Sequence, residues 1–235
     1  MTSIKIVVPT LNSHYLLPRL IESLQSQTFS NWNILFVDGD SNHNHKEWLN
    51  ECCYKEKKCK WIEQSKSNTG IFGAMNEGFL NSGADEWLLF WGSDDWAPTP
   101  EVFERFVKIL ANLDSPFPDL IVCKGRYVHR SANTLKRKTH FFSSKNNILL
   151  SANFFRRLLF FGSTPPHQAT FFGPGARSKL DKYSEKFRLA ADLDYFLKLS
   201  KSKDLRVLNI DLEIVHISNA GISNTQTKRR LQEVQ

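Results

Sequence analysis

The sequence predicts an α/β fold in which a mostly parallel sheet is flanked by helices. Strand-like and helix-like patterns alternate through the first half of the chain, as in sheets covered by helices on both faces. The 235 residues suit one large domain, and 41% hydrophobic with 23% charged residues is enough to form a core. Ligands of such sheets bind beyond the carboxyl ends of the strands, so functional residues are expected there.

Each predicted strand is a short β-branched or aromatic run, and each predicted helix has apolar residues at helical spacing. The predicted strands span residues 4–9, 32–37, 60–63, 86–91 and 120–127, and the helices span 16–27, 45–57, 68–79 and 99–113. Thr99 and Pro100 are predicted as the N-cap and first-turn residue of the last of these helices. The second half is less regular, with a helix at 192–200 and one or two strands within 205–215.

Composition excludes some classes of protein. No run of eighteen apolar residues is present, so no spanning helix is expected, and the apolar run near the start is too short for a secretory signal. The four cysteines lack a disulfide framework and indicate free thiols in a reducing cytosol, although a zinc site is an alternative. They are Cys52, Cys53, Cys59 and Cys123. The expected location is therefore cytoplasmic.

The charge is unevenly distributed along the chain. The net charge is +7, yet no acidic residue occurs between Asp119 and Asp181, which leaves 20 basic against 24 acidic residues elsewhere. The acid-free stretch contains Lys124, Arg126, Arg130, Lys136, Arg137, Lys138, Lys145, Arg156, Arg157, Arg177 and Lys179. Such polarity indicates an anionic partner, which could be a phosphate, a membrane surface or a nucleic acid.

Three acidic motifs are candidates for chemistry. Ser93-Asp94-Asp95 follows a strongly apolar strand, and adjacent carboxylates there favour a divalent cation such as Mg²⁺ or Mn²⁺, which would bind a diphosphate. The alternative is a solvated turn in which one of the acids caps the next helix. Asp38 follows the second strand and could accept a hydrogen bond from a base or ribose, or form an Asx turn.

The third motif is Asp192 and Asp194 at the start of a predicted helix. Positions two apart do not share a helix face, so one carboxylate could face the crevice while the other serves the fold. A carboxylate in the crevice could take a proton from an acceptor hydroxyl. The alternative is that both acids simply interact favourably with the helix dipole.

Seven motifs occur in an order that resembles family 2 glycosyltransferases of the GT-A fold. They are PTLN, VDGDS, TGIFGAMNEG, LLFWGSDDW, HQATF, LAADLDYFLKL and AGISN, and they extend from residue 4 to about residue 224. The nearest branch comprises bacterial enzymes that build surface polysaccharide and lipopolysaccharide. The resemblance implies one GT-A domain over residues 1–224 and a tail at 225–235. Residues 1–118 would bind the nucleotide-sugar, and residues 119–224 would form the acceptor side.

The resemblance also implies roles for individual residues. Asp95 would bind Mn²⁺ or Mg²⁺, Asp94 would contact the donor ribose or sugar, and Asp192 would be the catalytic base. The other donor-binding residues would be Pro9, Thr10, Asn12, Asp38 at the nucleobase, Asn68, Gly70 and Asn76, with His167 and Gln168 on the acceptor side. Ser93, Gly73 and Asp40 depart from the usual family pattern, since many relatives carry Asp at position 73 and Gly at position 40. The departures affect the expected donor sugar more than the reaction.

The implied reaction is the inverting, metal-dependent transfer of a sugar from a nucleotide-sugar, by default a UDP-sugar, to an acceptor hydroxyl. The acceptor would be a glycan or a glycan linked to polyprenyl diphosphate. One alternative is a nucleotidyltransferase, which is expected to carry a glycine-rich phosphate loop with lysine, and residues 10–14 have none. Another is a nucleic-acid-binding module that uses the basic stretch and stacking aromatics, which would not need the acid–metal site. We expect no nucleic-acid partner.

Residues 148–161 raise the question of a membrane contact. If the segment is helical, Phe154, Leu158 and Phe161 share a face, with Arg156 and Arg157 among them. A helix of this kind can lie in a membrane interface with its arginines at lipid phosphates, here at the inner face of the cell membrane. The alternative is that these apolar residues pack the core of the second half and the arginines are solvated.

Overall fold

The computed structural model describes residues 2–129, 134–142 and 147–218. Arg130, Lys145, the AGISN motif and the tail at 225–235 lie outside the described residues. The strands are β1 Ser3–Thr10, β2 Trp32–Asp38, β3 Cys59–Glu63, β4 Glu86–Phe90, β5 Leu120–His129, β6 Thr134–Lys138, β7 Ile148–Ser151, β8 Thr170–Phe172 and β9 Arg206–Ser218. The helices are α1 Leu17–Gln25, α2 His43–Lys55, α3 Ile71–Leu80, α4 Val102–Ala111, α5 Ala152–Phe160, α6 Pro174–Lys179 and α7 Ala191–Leu199, and a short 3₁₀ turn spans His167–Ala169.

All nine of these strands belong to one sheet in the order β3-β2-β1-β4-β8-β5-β9-β7, with β6 paired to β5. The first four strands run parallel, and the register places Thr10 beside Asp38 and Val7 beside Phe90. The carboxyl ends of β1, β2 and β4 therefore meet at one edge of the sheet. The α/β class predicted from the alternation of strands and helices is confirmed.

The second half departs from parallel pairing. The short strand β8 runs antiparallel to both β4 and β5 and joins the two halves of the sheet. Beyond it β9 lies parallel to β5, while β6 and β7 are antiparallel to their neighbours. The sheet is thus mixed overall, and the region in which one or two strands are expected contains the single long strand β9.

Alternating side chains of the strands build a core on each face of the sheet. Ile6 and Val8 pack with α1, α2 and α4, whereas Val7 between them packs with α3, α5 and α7 on the opposite face. The same alternation in β4 sends Leu89 to the first core and Phe90 to the second. Burial of each such side chain contributes roughly 1.5–3 kcal/mol, which is why the central strands are apolar on both faces.

The predicted N-cap of α4 is wrong. The residue before the helix is Glu101, and it makes no side-chain capping bond. Instead the buried side chain of Gln27 accepts a hydrogen bond from the Phe103 N–H at 3.2 Å and donates to the Thr99 carbonyl at 2.8 Å. A side chain that follows α1 therefore satisfies a free N–H of α4, which local sequence patterns cannot reveal.

The condition that residues 148–161 are helical is met only after residue 151. Residues 148–151 form the edge strand β7, because Leu149 and Leu150 pair with β9, and Ser151 caps α5 by accepting from the Phe154 N–H at 3.4 Å. Within α5, Phe155 is fully buried, whereas Phe160 is 83% exposed. The core-packing interpretation therefore holds for Phe155, and the membrane contact stays a prediction.

The two arginines of α5 differ in their surroundings. The guanidinium of Arg156 donates to the carbonyl and hydroxyl of Ser200 at the end of α7, so it links the two helices rather than facing solvent freely. Arg157 is exposed. Among the helices that the structure describes, none is long and apolar enough to cross a lipid bilayer.

Candidate active site

The loops that follow β1 and β2 are tied together at the edge of the sheet. The Asn12 N–H donates to the Ser41 hydroxyl at 2.8 Å, and the Asn12 side chain accepts from the Asn42 N–H at 2.9 Å. The Gly39 N–H donates to the Thr10 carbonyl at 2.8 Å. Asn12 adopts a left-handed conformation with φ of 49°, which asparagine tolerates better than most residues. Asn12 therefore shapes the start of α2 as well as its own loop.

Asp38 lies at the centre of this junction. Its carboxylate is fully buried and accepts from the Ser41 N–H at 3.0 Å, the Ser41 hydroxyl at 2.5 Å and the Thr10 hydroxyl at 3.4 Å. The local turn that was one interpretation of this acid is thus present. The carboxylate has no exposed surface in this structure, so its contact with a nucleobase stays a prediction.

Asp40 shows why glycine is usual at its position. Its φ is 70°, in the left-handed region that glycine adopts without strain. The carboxylate points outward, and the Lys46 ammonium lies 3.4 Å from it. Aspartate is among the few other residues that tolerate this conformation, so the departure from the family pattern leaves the loop in place.

The loop after β4 is fastened to the loop after β1. The Ser93 hydroxyl lies 2.9 Å from the Ser13 hydroxyl and donates to the Pro9 carbonyl at 3.2 Å. Ser93, where the family pattern carries a first acidic residue, thus connects two of the loops that surround the candidate site.

Asp94 and Asp95 form a crowded acidic pair. Asp95 is 2% exposed, and its carboxylate accepts from the Gly92 N–H at 2.7 Å and from the backbone of Ser218. Burial, together with the charge of Asp94, raises the pKa of Asp95 to about 8. A side-chain carbon at Gly92 would lie 3.1 Å from an Asp94 oxygen and 3.3 Å from an Asp95 oxygen, so both carboxylates border one point.

This arrangement fits a divalent cation better than a solvated turn. Neither acid caps the next helix, because α4 begins only at Val102 behind Glu101. A buried carboxylate beside a second one is costly unless a positive charge compensates it, and oxygen ligands suit Mg²⁺ or Mn²⁺. The described residues contain no cluster of three or more acidic, histidine or cysteine ligands, so further ligands would come from a diphosphate or water.

The segment between β3 and α3 is held by a glutamine that the sequence patterns did not indicate. The Gln64 amide donates to the carbonyls of Asn68 and Gly70, each at 2.7 Å. Gly70 has a φ of 86° and precedes α3. A side-chain carbon at Gly73 would come within 2.7 Å of the Asn68 side-chain oxygen, so the loop can fold over the helix only because residue 73 is glycine.

Asn76 lies in α3 and is engaged with the second half of the chain. Its amide accepts from the Tyr183 N–H at 2.7 Å and donates to the Tyr183 carbonyl at 3.2 Å. Asn76 is 5% exposed. Both functional groups of the side chain are therefore used in holding Tyr183, and a role at the donor stays a prediction.

The acceptor-side residues lie against the end of β4. His167 stacks on Phe90 with ring centroids 5.4 Å apart, and the Trp91 indole N–H donates to the Gln168 carbonyl at 3.0 Å. A ring nitrogen of His167 lies 2.7 Å from the Tyr183 hydroxyl. Burial lowers the pKa of His167 to about 4, against the opposing charge of Asp192, so its imidazole is neutral at physiological pH.

The two acids at the start of α7 have different surroundings, as the sequence predicts. Asp194 forms an ion pair of 2.7 Å with Lys198 one turn along the helix. Asp192 is half-buried, accepts from the Leu193 N–H at 2.9 Å and acts electrostatically on His167. Asp192 is thus the acid whose charge reaches His167, while Asp194 pairs within its own helix.

The site residues that sequence reasoning missed act through specific side-chain contacts rather than through a periodic pattern. Ser13 and Tyr183 contact residues distant in sequence, whereas His45 and Gln64 contact residues four to seven positions away. Tyr183 contacts Asn76 across more than a hundred residues. Only the position of Gln64, directly after a strand, was a signal that could have suggested it.

The fold and the acidic edge define a nucleotide-binding α/β transferase class, and comparison with known proteins makes this specific. Residues 5–184 match the Glycosyl transferase family 2 model. The chain therefore belongs to Glycosyl transferase family 2, and the predicted family is confirmed. A PGL/p-HBAD biosynthesis glycosyltransferase of Mycobacterium tuberculosis is 24% identical over 221 residues, which cover 94% of this chain and 78% of that protein. The match favours a glycosyltransferase over the two alternatives.

Solved structures agree with the expected GT-A architecture. Staphylococcus aureus TarS 1-349 in complex with UDP-GlcNAc has a TM-score of 0.72 at 17% identity, covering 95% of this chain and 61% of that one. The mannosyltransferase PcManGT from Pyrobaculum calidifontis, in complex with GDP-Man and Mn²⁺, has a TM-score of 0.65 at 14% identity, covering 98% of this chain and 61% of that one. This chain thus spans about three fifths of both, and the likeness shows the shared fold.

We predict that Gly73→Ala lowers the free energy of unfolding by about 1–3 kcal/mol, because the new methyl group would overlap the Asn68 backbone and side chain. Alanine is the better helix former by about 1 kcal/mol, so helix propensity alone predicts the opposite sign. Urea denaturation measures the difference. Gly83→Ala, at an exposed loop position, is the matched control. A stabilised Gly73→Ala variant would show that the loop is not packed on α3.

Proposed function

We propose that this protein is an inverting, divalent-metal-dependent glycosyltransferase that uses a nucleotide-sugar, with uridine as the expected base. The acceptor is a hydroxyl on a glycan or on a polyprenyl-diphosphate-linked glycan. The observation that carries the proposal is the buried Asp95 beside Asp94, at the sheet edge where the loops after β1 and β2 converge. The nucleotide-sugars named for TarS and PcManGT, and the Mn²⁺ named for the latter, support it.

Donor binding is assigned to the first half of the chain, residues 1–118. Asp95 holds Mn²⁺ or Mg²⁺, and Asp94 contacts the ribose or the sugar. The nucleotide lies against the loops after β1, β2 and β3, where Pro9, Thr10, Asn12, Asp38, Asn68 and Gly70 are found. The hydrogen bonds between these loops support this assignment, since they hold the binding groups before the donor arrives.

The proposed reaction is one displacement at the anomeric carbon. The acceptor oxygen forms a bond to that carbon as the bond to the diphosphate oxygen breaks, and the proton of the acceptor hydroxyl passes to the Asp192 carboxylate. A divalent metal, when bound, would neutralise the charge on the leaving diphosphate. Asp192 is half-buried and its charge reaches His167, which supports its assignment as the base on the acceptor side, residues 119–224.

We predict that Asp95→Ala abolishes Mn²⁺-dependent binding of UDP, because its loss leaves Asp94 alone to hold the cation. In the wild-type protein the same binding should strengthen between pH 6 and pH 8.5. The pKa of Asp95 is about 8 in the metal-free protein, so a proton competes with the cation below that value. Isothermal titration calorimetry measures both effects.

Asp114→Ala, which removes an exposed aspartate, is the control for the change in net charge. If a folded Asp95→Ala variant with a normal melting curve bound UDP with wild-type affinity in Mn²⁺, Asp95 would not be a metal ligand.

We predict that Asp192→Asn retains donor binding but lowers the transfer rate by roughly 10²–10⁴-fold, the usual contribution of a general base. Asp194→Asn is the matched control on the same helix, and it should change stability slightly and transfer little because Asp194 pairs with Lys198. Release of nucleoside diphosphate during sugar transfer is the measurement. A wild-type rate in Asp192→Asn, with a reduced rate in Asp194→Asn, would reverse the assignment of the base.

A separate proposal concerns location. We propose a cytoplasmic protein that contacts the inner face of the cell membrane peripherally through α5. Phe160 and Phe161, at the end of α5, are 83% and 77% exposed, and the exposed Arg157 lies one turn before Phe161. Phe142 packs on Phe154 of the same helix at 5.5 Å and continues from the basic strand β6. Exposed aromatics beside positive charge suit an anionic lipid surface.

We predict that the protein pellets with vesicles containing anionic lipid and that this binding fades in high salt. Phe160→Ser/Phe161→Ser and Arg157→Glu should each weaken it. Leu80→Ser, which removes an apolar side chain that is 78% exposed on α3, should not. Co-sedimentation is the measurement. Pelleting with neither kind of vesicle would refute the membrane contact, and equal pelleting with neutral and anionic vesicles would refute the part assigned to positive charge.

A further inference from the structure

His45 is a buried histidine that the proposed reaction does not use. It lies in the first turn of α2, its side chain is fully buried, and its Nε2 atom is 3.4 Å from the Oδ1 atom of Asp38. Neither ring nitrogen of His45 makes a hydrogen bond of normal geometry to the described part of the chain. Buried polar groups are nearly always hydrogen-bonded, so an imidazole left in this state beside a site acid is unusual.

We propose that His45 is a positioning residue for the nucleoside part of the donor, acting through Asp38. The inference rests on the proposed function, since it assumes that a nucleotide lies against the loops after β1 and β2. The path is short. The His45 ring borders the Asp38 carboxylate, which accepts from the N–H and the hydroxyl of Ser41. The Ser41 hydroxyl in turn accepts from the Asn12 N–H. A shift of the Asp38 carboxylate would therefore reach the loop at the nucleotide.

The chemistry of the imidazole suits this role. Burial lowers the pKa of His45, although the charge of Asp38 acts in the opposite direction, so the ring is neutral at physiological pH. A neutral imidazole has one N–H, and a hydrogen on Nε2 would face the Asp38 carboxylate. The 3.4 Å separation is longer than a strong hydrogen bond, as is common at sites that tighten only when the ligand binds.

The ring of His45 can be changed without removing the start of its helix. The backbone N–H of His45 donates to the Asn42 side chain at 3.1 Å, and that capping bond does not involve the imidazole. The neighbouring ring of His14 lies 5.6 Å away and packs against it, so an aromatic replacement keeps most of the contact. A phenylalanine at position 45 therefore removes the two nitrogens while leaving the bulk of the side chain.

The test compares His45→Phe, His45→Gln and His43→Phe with the wild-type protein. His43 is on the same helix with a side chain that is 88% exposed, so its replacement controls for loss of a histidine from α2. Calorimetry with Mn²⁺ measures the affinities for UDP, GDP and inorganic diphosphate. We expect His45→Phe to bind the preferred nucleoside diphosphate about tenfold more weakly, the usual effect of losing a hydrogen bond to a charged group.

Binding of inorganic diphosphate should be unchanged in His45→Phe, because it depends on the Asp94–Asp95 pair rather than on Asp38. His45→Gln, whose amide can donate to the carboxylate, should recover most of the affinity. Equal weakening of all ligands in His45→Phe, an equal loss in His43→Phe, or no loss at all would overturn the positioning role. Failure of the wild-type protein to bind any of the nucleotides would instead overturn the proposed function, and this inference with it.

Discussion

The parallel pairing of β1 with β2 on one side and β4 on the other is the constraint on which the rest of this protein depends. It aligns the carboxyl ends of three buried strands, so that the loops carrying Asn12, Asp38 and Asp95 emerge at one edge. The strands are apolar on both faces because helices cover both sides of the sheet. A chain with this core can place polar chemistry only where the strands end.

Two buried acids lie at that edge, and the groups that surround their carboxylates differ. Asp38 is stabilised by hydrogen bonds, since hydroxyl and backbone donors of the neighbouring loops surround its carboxylate. Asp95 accepts from the backbone of Gly92 and Ser218 and lies near a second carboxylate, and burial raises its pKa to about 8. The first arrangement holds loops in place, whereas the second leaves a charge that a bound cation can compensate.

The second half of the chain completes the edge through a few specific contacts. The strand β8 joins the two parts of the sheet, the Trp91 indole reaches the Gln168 carbonyl, and Asn76 holds the backbone of Tyr183. These contacts place His167 against Phe90 at the end of β4. The charge of Asp192 acts on His167 there. The two halves of the chain are thus joined by strand pairing and by hydrogen bonds between side chains and backbone.

The sequence by itself determined the α/β class, the strands of the first half, the family and the acidic motifs, because hydrophobic periodicity and motif order are local properties of the chain. The different surroundings of Asp192 and Asp194 also followed from helix geometry alone. Tertiary structure decided the Gln27 cap of α4, the strand that begins residues 148–161, and the contacts of His45 and Gln64. The cap and the strand depend on neighbours distant in sequence, whereas His45 and Gln64 contact residues only four to seven positions away, in loop geometries that no periodic pattern specifies.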